Sequence, residues 1–206
     1  YNKALRNRKK NMCLIFLLII MQRMVTSSTA AIQQSLERRL SVLKEQRTCV
    51  GNLKEEDLDE LNIEDGVEEA IEAISLDMDL EIEELQQIVS LAKQAQFQNR
   101  DAKVEPLIME IDAILSADRS QKIIIFTEFV ATQKYLQELL VNIGYSVTIL
   151  NGGMSIDERN AAMQEFRTST SIFISTDAGG EGLNLQFANI IINYDLPWNP
   201  MKIEQR

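Results

Sequence analysis

Four short apolar runs mark the second half of the chain: Ile123-Ile124-Ile125-Phe126, Val147-Thr148-Ile149-Leu150, Ile172-Phe173-Ile174 and Ile190-Ile191-Ile192. None is long enough for a helix, and three of them contain no polar residue. Such runs predict strands buried on both faces, as in a parallel sheet covered by helices. The segments between them carry helical periodicity. Residues 102–115 predict an amphipathic helix that tolerates Pro106 near its start, where a proline costs no hydrogen bond. A strand follows over 122–127, then a helix over 129–143 that stops at Gly144. The next strand, 146–150, ends in the turn Asn151-Gly152-Gly153. Ser155 caps a helix to about Phe166, with Asp157 and Glu158 in the first turn, where the helix dipole favours them. Strands over 172–175 and 190–193 complete the pattern.

The first half reads differently. Met12 to Met21 is wholly apolar, but ten residues are too few to cross a bilayer. A basic start followed by an apolar run imitates a signal peptide, yet no small-residue cleavage pattern follows closely; a buried core helix is the better reading. Thr26, Ser27 or Ser28 then caps a second helix, whose Ile32, Leu36, Leu40 and Leu43 recur at helical spacing. Residues 52–84 are acidic and predict a solvated, partly disordered linker. Its rivals are a docking surface for a basic partner, or a strip that occupies a DNA groove when DNA is absent. Helix is expected again over 80–97, with Ile82, Leu85, Ile88, Val89 and Leu91 as its stripe. The expected organisation is a helical extension over 1–50, an acidic linker and helix over 51–100, and an α/β domain over 101–206.

Charge sharpens this division. The net charge of −10 splits into +8 over residues 1–47, −12 over 48–100 and −6 over 101–206. An acidic average does not exclude a nucleic-acid partner, because binding follows the local patch. Histidine is absent, and the two cysteines, Cys13 and Cys49, lack metal-ligand spacing. The absence of histidine rules out a histidine-based triad, and these two counts argue against a zinc site. Two cysteines agree with a reducing, intracellular setting, cytoplasm or nucleoid, or nucleus in a eukaryote.

The chemistry gathers after the third strand, in Ser175-Thr176-Asp177 and the glycines Gly179, Gly180 and Gly182. In an open parallel sheet, ligands bind beyond the carboxyl ends of the strands. Glycines there permit close backbone approach, successive N–H groups make anion-binding concavities, and hydroxyls hold phosphate oxygens. A tight turn without ligand would use the same glycines. The segment STDAGGEGLNLQFANIIINYDLPWNPMKIEQR, however, resembles the fifth conserved motif of the SWI/SNF-type helicase-like ATPases of superfamily two, running into the opening Gln-Arg of their sixth. The bacterial RNA-polymerase-associated ATPases are a similar branch. The resemblance reaches back to about Asp101, and Thr127-Glu128-Phe129 resembles the fourth motif.

That resemblance implies a RecA-like C-terminal motor lobe preceded by an α-helical extension. It places Thr127, Gly152 and Thr176 on the phosphates of one nucleic-acid strand. Arg159 is left between a phosphate contact and a surface pair with Asp157 or Glu158. Gly182, Asn184, Gln205 and Arg206 would face the nucleotide, and Trp198 would pack the last helix or stack on a base. ATP and Mg²⁺ belong to the full-length protein. The phosphate loop and acidic Mg²⁺-binding box lie in its N-terminal lobe, and the finger arginines fall beyond Arg206. No catalytic residue and no metal ligand is expected in this chain, nor a bound cofactor on the chain alone. The expected partners are double-stranded DNA, the other motor lobe, and RNA polymerase or a chromatin protein, with no membrane. A different class of function is a non-catalytic module that binds a partner through the acidic segment and basic N-terminus. A Rossmann-like enzyme ranks last, since no early G-x-G-x-x-G follows a strand.

Overall fold

The computed structural model describes residues 19–51, 67–98, 101–177, 185–197 and 199–206, with side chains for all but 49–51, 67–75, 96–98 and 205. The chain divides into two compact units: Tyr1–Ala31 together with Asn99–Arg206, and Ile32–Gln98.

The larger unit is built on a parallel sheet of β1 (Ile123–Thr127), β2 (Val147–Leu150), β3 (Ile172–Thr176) and β4 (Ile190–Asn193), in the order β2-β3-β1-β4. Residues 19–27 form helix α1. Helix α4 (Val104–Ala117) precedes β1, α5 (Val130–Ile143) and α6 (Ile156–Thr168) lie between strands, and α7 is the short Met201–Gln205. Successive residues of each strand face opposite sides of the sheet, so two cores result. On one side Ile123, Ile125, Ile172 and Ile174 pack with Val104, Leu107 and Ile111 of α4 and Leu136 and Leu140 of α5. On the other, Ile124, Phe126, Leu150 and Phe173 pack with Ala162 and Phe166 of α6, and the Phe166 and Phe173 rings stack at 4.7 Å. The runs are unalternating because both faces are covered. β2 and β4 are the edge strands, and Ile191 of β4 is exposed.

The punctuation follows from local chemistry. Pro106 is the third residue of α4, where its missing N–H costs nothing. Ser155 and Glu158 form a reciprocal capping box on α6. Gly144 ends α5 in the left-handed region, at φ 110°. A Cβ there would meet nothing within 4 Å, so Gly144→Ala isolates backbone strain. The expected cost is about 1–2 kcal/mol, read as a lower midpoint in urea.

The second unit contains most of α2 (Thr29–Gly51) and all of α3 (Val67–Gln98). Arg39–Glu81, Arg47–Asp79 and Glu37–Lys93 ion pairs join the two helices. Helix was expected only from Leu80, yet it begins at Val67, so residues 67–79 of the supposed linker are ordered. The reason is in the sequence. Ile71, Ile74, Met78, Ile82, Leu85 and Val89 recur at spacings of three and four, and the glutamates among them are good helix formers. Residues 52–66, the rest of that expectation, lie outside the described residues.

Candidate nucleic-acid interface

The carboxyl ends of β1, β2 and β3 form one edge, and the register decides which residues share it. Thr127 pairs with Thr176, and Leu150 pairs with Ser175. Asn151 and Gly152 follow Leu150 directly, so Thr127, Gly152 and Thr176 lie at the same end of three adjacent strands. Thr176 is buried, and Ser175 donates its hydroxyl proton to the Thr176 carbonyl at 2.9 Å. Gly152 and Gly153 are exposed. Asn151 Oδ1 accepts the Gly153 N–H at 3.1 Å.

Arg159 stands against this turn. Its Nε donates to the Met154 carbonyl at 3.1 Å and its Nη2 to the Gly152 carbonyl at 3.2 Å. Glu158 is occupied with Ser155 through the capping box, which holds its carboxyl below the usual range. The guanidinium therefore stiffens the glycine turn while its charge stays at the edge. Behind the turn lies Gln133, wholly buried on α5. Its Nε2 donates to the carbonyls of Leu150 and Ile174, both at 2.8 Å, and its Oε1 accepts from Asn151 Nδ2 at 3.1 Å. One side chain thus ties the end of β2, the middle of β3 and the asparagine that opens the turn.

A second fixed point is Asp195, which is only 8% exposed. Its carboxylate accepts from Thr127 Oγ1 and Ser27 Oγ, both at 2.7 Å, from Lys103 Nζ at 2.9 Å and from the Glu128 N–H at 3.1 Å. Burial pushes its pKa up. The hydrogen bonds from Lys103, Thr127, Ser27 and the Glu128 N–H outweigh burial, and the carboxyl ends below its ordinary value. Thr127 is 0% exposed, and its hydroxyl proton is spent on Asp195. Glu128 behaves oppositely: burial raises its pKa, against the opposing charge of Arg23. Arg23 of α1 ion-pairs with Glu128 at 2.5 Å and donates to the Leu196 carbonyl at 2.7 Å. Ser27 and Ser28 also share hydrogen bonds with Thr132. A cavity of about 280 Å³ lies among Arg23, Lys103, Glu128, Tyr194 and Asp195, its two cations facing two carboxylates.

Arg206 is nearly buried. It binds the Asp177 carboxylate and Asn193 Oδ1, donates to the Asp195 carbonyl at 3.3 Å, and lies 4.6 Å over the Phe126 ring. Gly182, Asn184 and Trp198 lie outside the described residues, as does the side chain of Gln205. Among the described residues, no group of three metal-ligating side chains comes together, and no helix is long and apolar enough to cross a membrane. Sequence reading passed over Gln133 and Asp195. Only the second had a signal, as a carboxylate inside the quoted motif.

A parallel sheet with both faces covered, and a polar edge built from the turns after β1, β2 and β3, defines a RecA-like lobe. Residues 102–206 match the helicase conserved C-terminal domain, and the chain belongs to that family. It is similar to the uncharacterized ATP-dependent helicase YqhH of Bacillus subtilis (strain 168), with 49% identity over 96 residues, 47% of this chain and 17% of that protein. It is also similar to the RNA polymerase-associated protein RapA of Cronobacter sakazakii, with 35% identity over 112 residues, 52% of this chain and 11% of that protein. The chain therefore spans a small part of these relatives. Among solved structures, the Pyrococcus furiosus Hef helicase domain superposes with a TM-score of 0.52 at 22% identity, over 86% of this chain and 32% of that one, which supports the fold.

Proposed function

We propose that this chain is the second motor lobe of a SWI/SNF-type, DNA-dependent ATPase, and that its carboxyl edge grips the backbone of one strand of duplex DNA. The observation that carries this reading is the register that sets Thr127 beside Thr176, with Gly152 on the next strand. In this reading the exposed N–H groups of the glycine turn and the Thr176 hydroxyl meet phosphates, and Arg159 adds charge. Thr127 takes part through Asp195, by fixing the strand end and the Glu128 N–H. Such contacts carry affinity without base preference and weaken with salt.

ATP and Mg²⁺ would belong to the complete protein. In this chain the Arg206 guanidinium binds Asp177 and Asn193, and among the described residues no group of three metal-ligating side chains comes together. A further lobe would supply the phosphate loop, and Gly182, Asn184, Gln205 and Arg206 would complete one wall of the cleft. Alternating grips by the two lobes would then move the protein along DNA, inside the cell, with RNA polymerase or a chromatin protein as a further partner. The segments 1–50 and 51–100 would serve as helical extension and linker to this lobe. Purified chain with ATP and duplex DNA is expected to show no turnover above buffer; DNA-stimulated turnover abolished by an Asn184 change would contradict the half-cleft reading.

The edge itself is tested by DNA affinity against salt on several unrelated duplexes. Thr176→Ala removes a hydrogen bond to a charged group, worth about 1.5–3 kcal/mol, and leaves the salt slope unchanged. Arg159→Ala flattens the slope by about one unit. Unchanged affinity for Thr176→Ala on every duplex would assign that hydroxyl to the turn alone.

A further inference from the structure

The helix α3 has two unlike faces. Met78, Ile82, Leu85 and Val89 lie on the side that is buried or partly buried within its unit, where the ion pairs to α2 also fall. On the opposite side Leu76, Leu80, Ile88 and Leu91 are 63%, 54%, 47% and 63% exposed. At about 100° per residue these four fall within an arc of roughly 120°, and Leu76, Leu80 and Leu91 lie within about 60° of one another. Asp77 and Glu84 are exposed inside the same arc, between Leu91 and Ile88, and the exposed Glu83 flanks its other edge beside Leu76. Lysine and arginine are absent from residues 67–92, and the first cation of the helix, Lys93, is paired with Glu37 on the other side.

An exposed apolar row of this length is a docking surface more often than an accident. Its occupant follows from charge. A second copy would set the same acidic side chains against themselves, and residues 48–100 together carry −12, so self-pairing is opposed. A nucleic acid is repelled for the same reason. A helix with its own apolar stripe, flanked by lysine or arginine, fits both features at once: stripe against stripe, cations over Asp77, Glu83 and Glu84. We infer that the Leu76–Leu80–Ile88–Leu91 face of α3 docks a basic amphipathic helix of a partner protein. This inference does not rest on the DNA-gripping edge, and the substitutions that test it leave that edge untouched.

The probe is a fluorescent eighteen-residue peptide of leucine and lysine, with leucines at helical spacing, alongside a shuffled peptide of identical composition that has no stripe. Binding to the whole chain is read by anisotropy, and circular dichroism checks that each variant folds. The patterned peptide is expected to bind at least about ten-fold more tightly than the shuffled one. Leu80→Ser with Leu91→Ser is expected to remove most of that ten-fold preference. Glu83→Gln with Glu84→Gln is expected to weaken binding and reduce its salt dependence. Equal binding of the two peptides, or full binding by the folded leucine double variant, would show attraction to a diffuse negative charge and overturn the inference. A dimer in sedimentation that dissociates on Leu80→Ser with Leu91→Ser would overturn it too, by making a second copy the occupant.

Discussion

Replacing Asp195 by alanine is expected to destabilise the sheet-bearing unit by about 3–5 kcal/mol. The substitution leaves the buried Thr127 hydroxyl and the Glu128 N–H without their acceptor, removes one of the two partners of Ser27, and takes the carboxylate from Lys103. The effect has a pH signature. The folded carboxyl titrates below its ordinary value, so its contribution is complete above the unfolded pKa of about 3.9 and is lost as pH falls through the lower folded value. Asp195→Asn keeps the shape and abolishes this titration. Urea midpoints should therefore differ most between wild type and Asp195→Asn at pH 7, and the gap should narrow below about pH 4. A gap constant from pH 7 to pH 3 would mean that the charge of Asp195 contributes nothing.

Gln133→Met is the second large effect, expected at about 2–4 kcal/mol. Methionine nearly conserves volume, so the loss isolates three hydrogen bonds: two to strand carbonyls and one from Asn151. Hydrogen exchange at residues 151–153 should quicken more than exchange in β1, because the glycine turn loses its anchor. A midpoint within experimental error of wild type would show that the core tolerates an apolar side chain at this site.

These two residues also mark where the sequence stops being legible. The strands and the helices around them could be read because periodicity, Gly144 and the Ser155–Glu158 box are local signals. The shared edge of Thr127, Gly152 and Thr176 follows once those strands are parallel. Asp195 could not be assigned, because its partners Ser27 and Thr127 are 168 and 68 residues away. Gln133 sits inside an ordinary-looking helix, and only the closing of β2 against β3 places two carbonyls before its amide. Arg206 was legible as part of a motif, but its ties to Asp177 and Asn193 depend on the turn of the chain after β4. The early start of α3 was misread for a different reason: acidic composition masked a continuous helical stripe.

The claim that the carboxyl edge binds a nucleic-acid backbone is tested most directly by hydrogen–deuterium exchange of the chain at low salt, with and without duplex DNA of two unrelated sequences. Protection is expected at residues 127–129, 151–155 and 175–177 with both duplexes, and it should disappear as salt is raised. Protection confined to other surfaces, or none at this edge with either duplex, would contradict it.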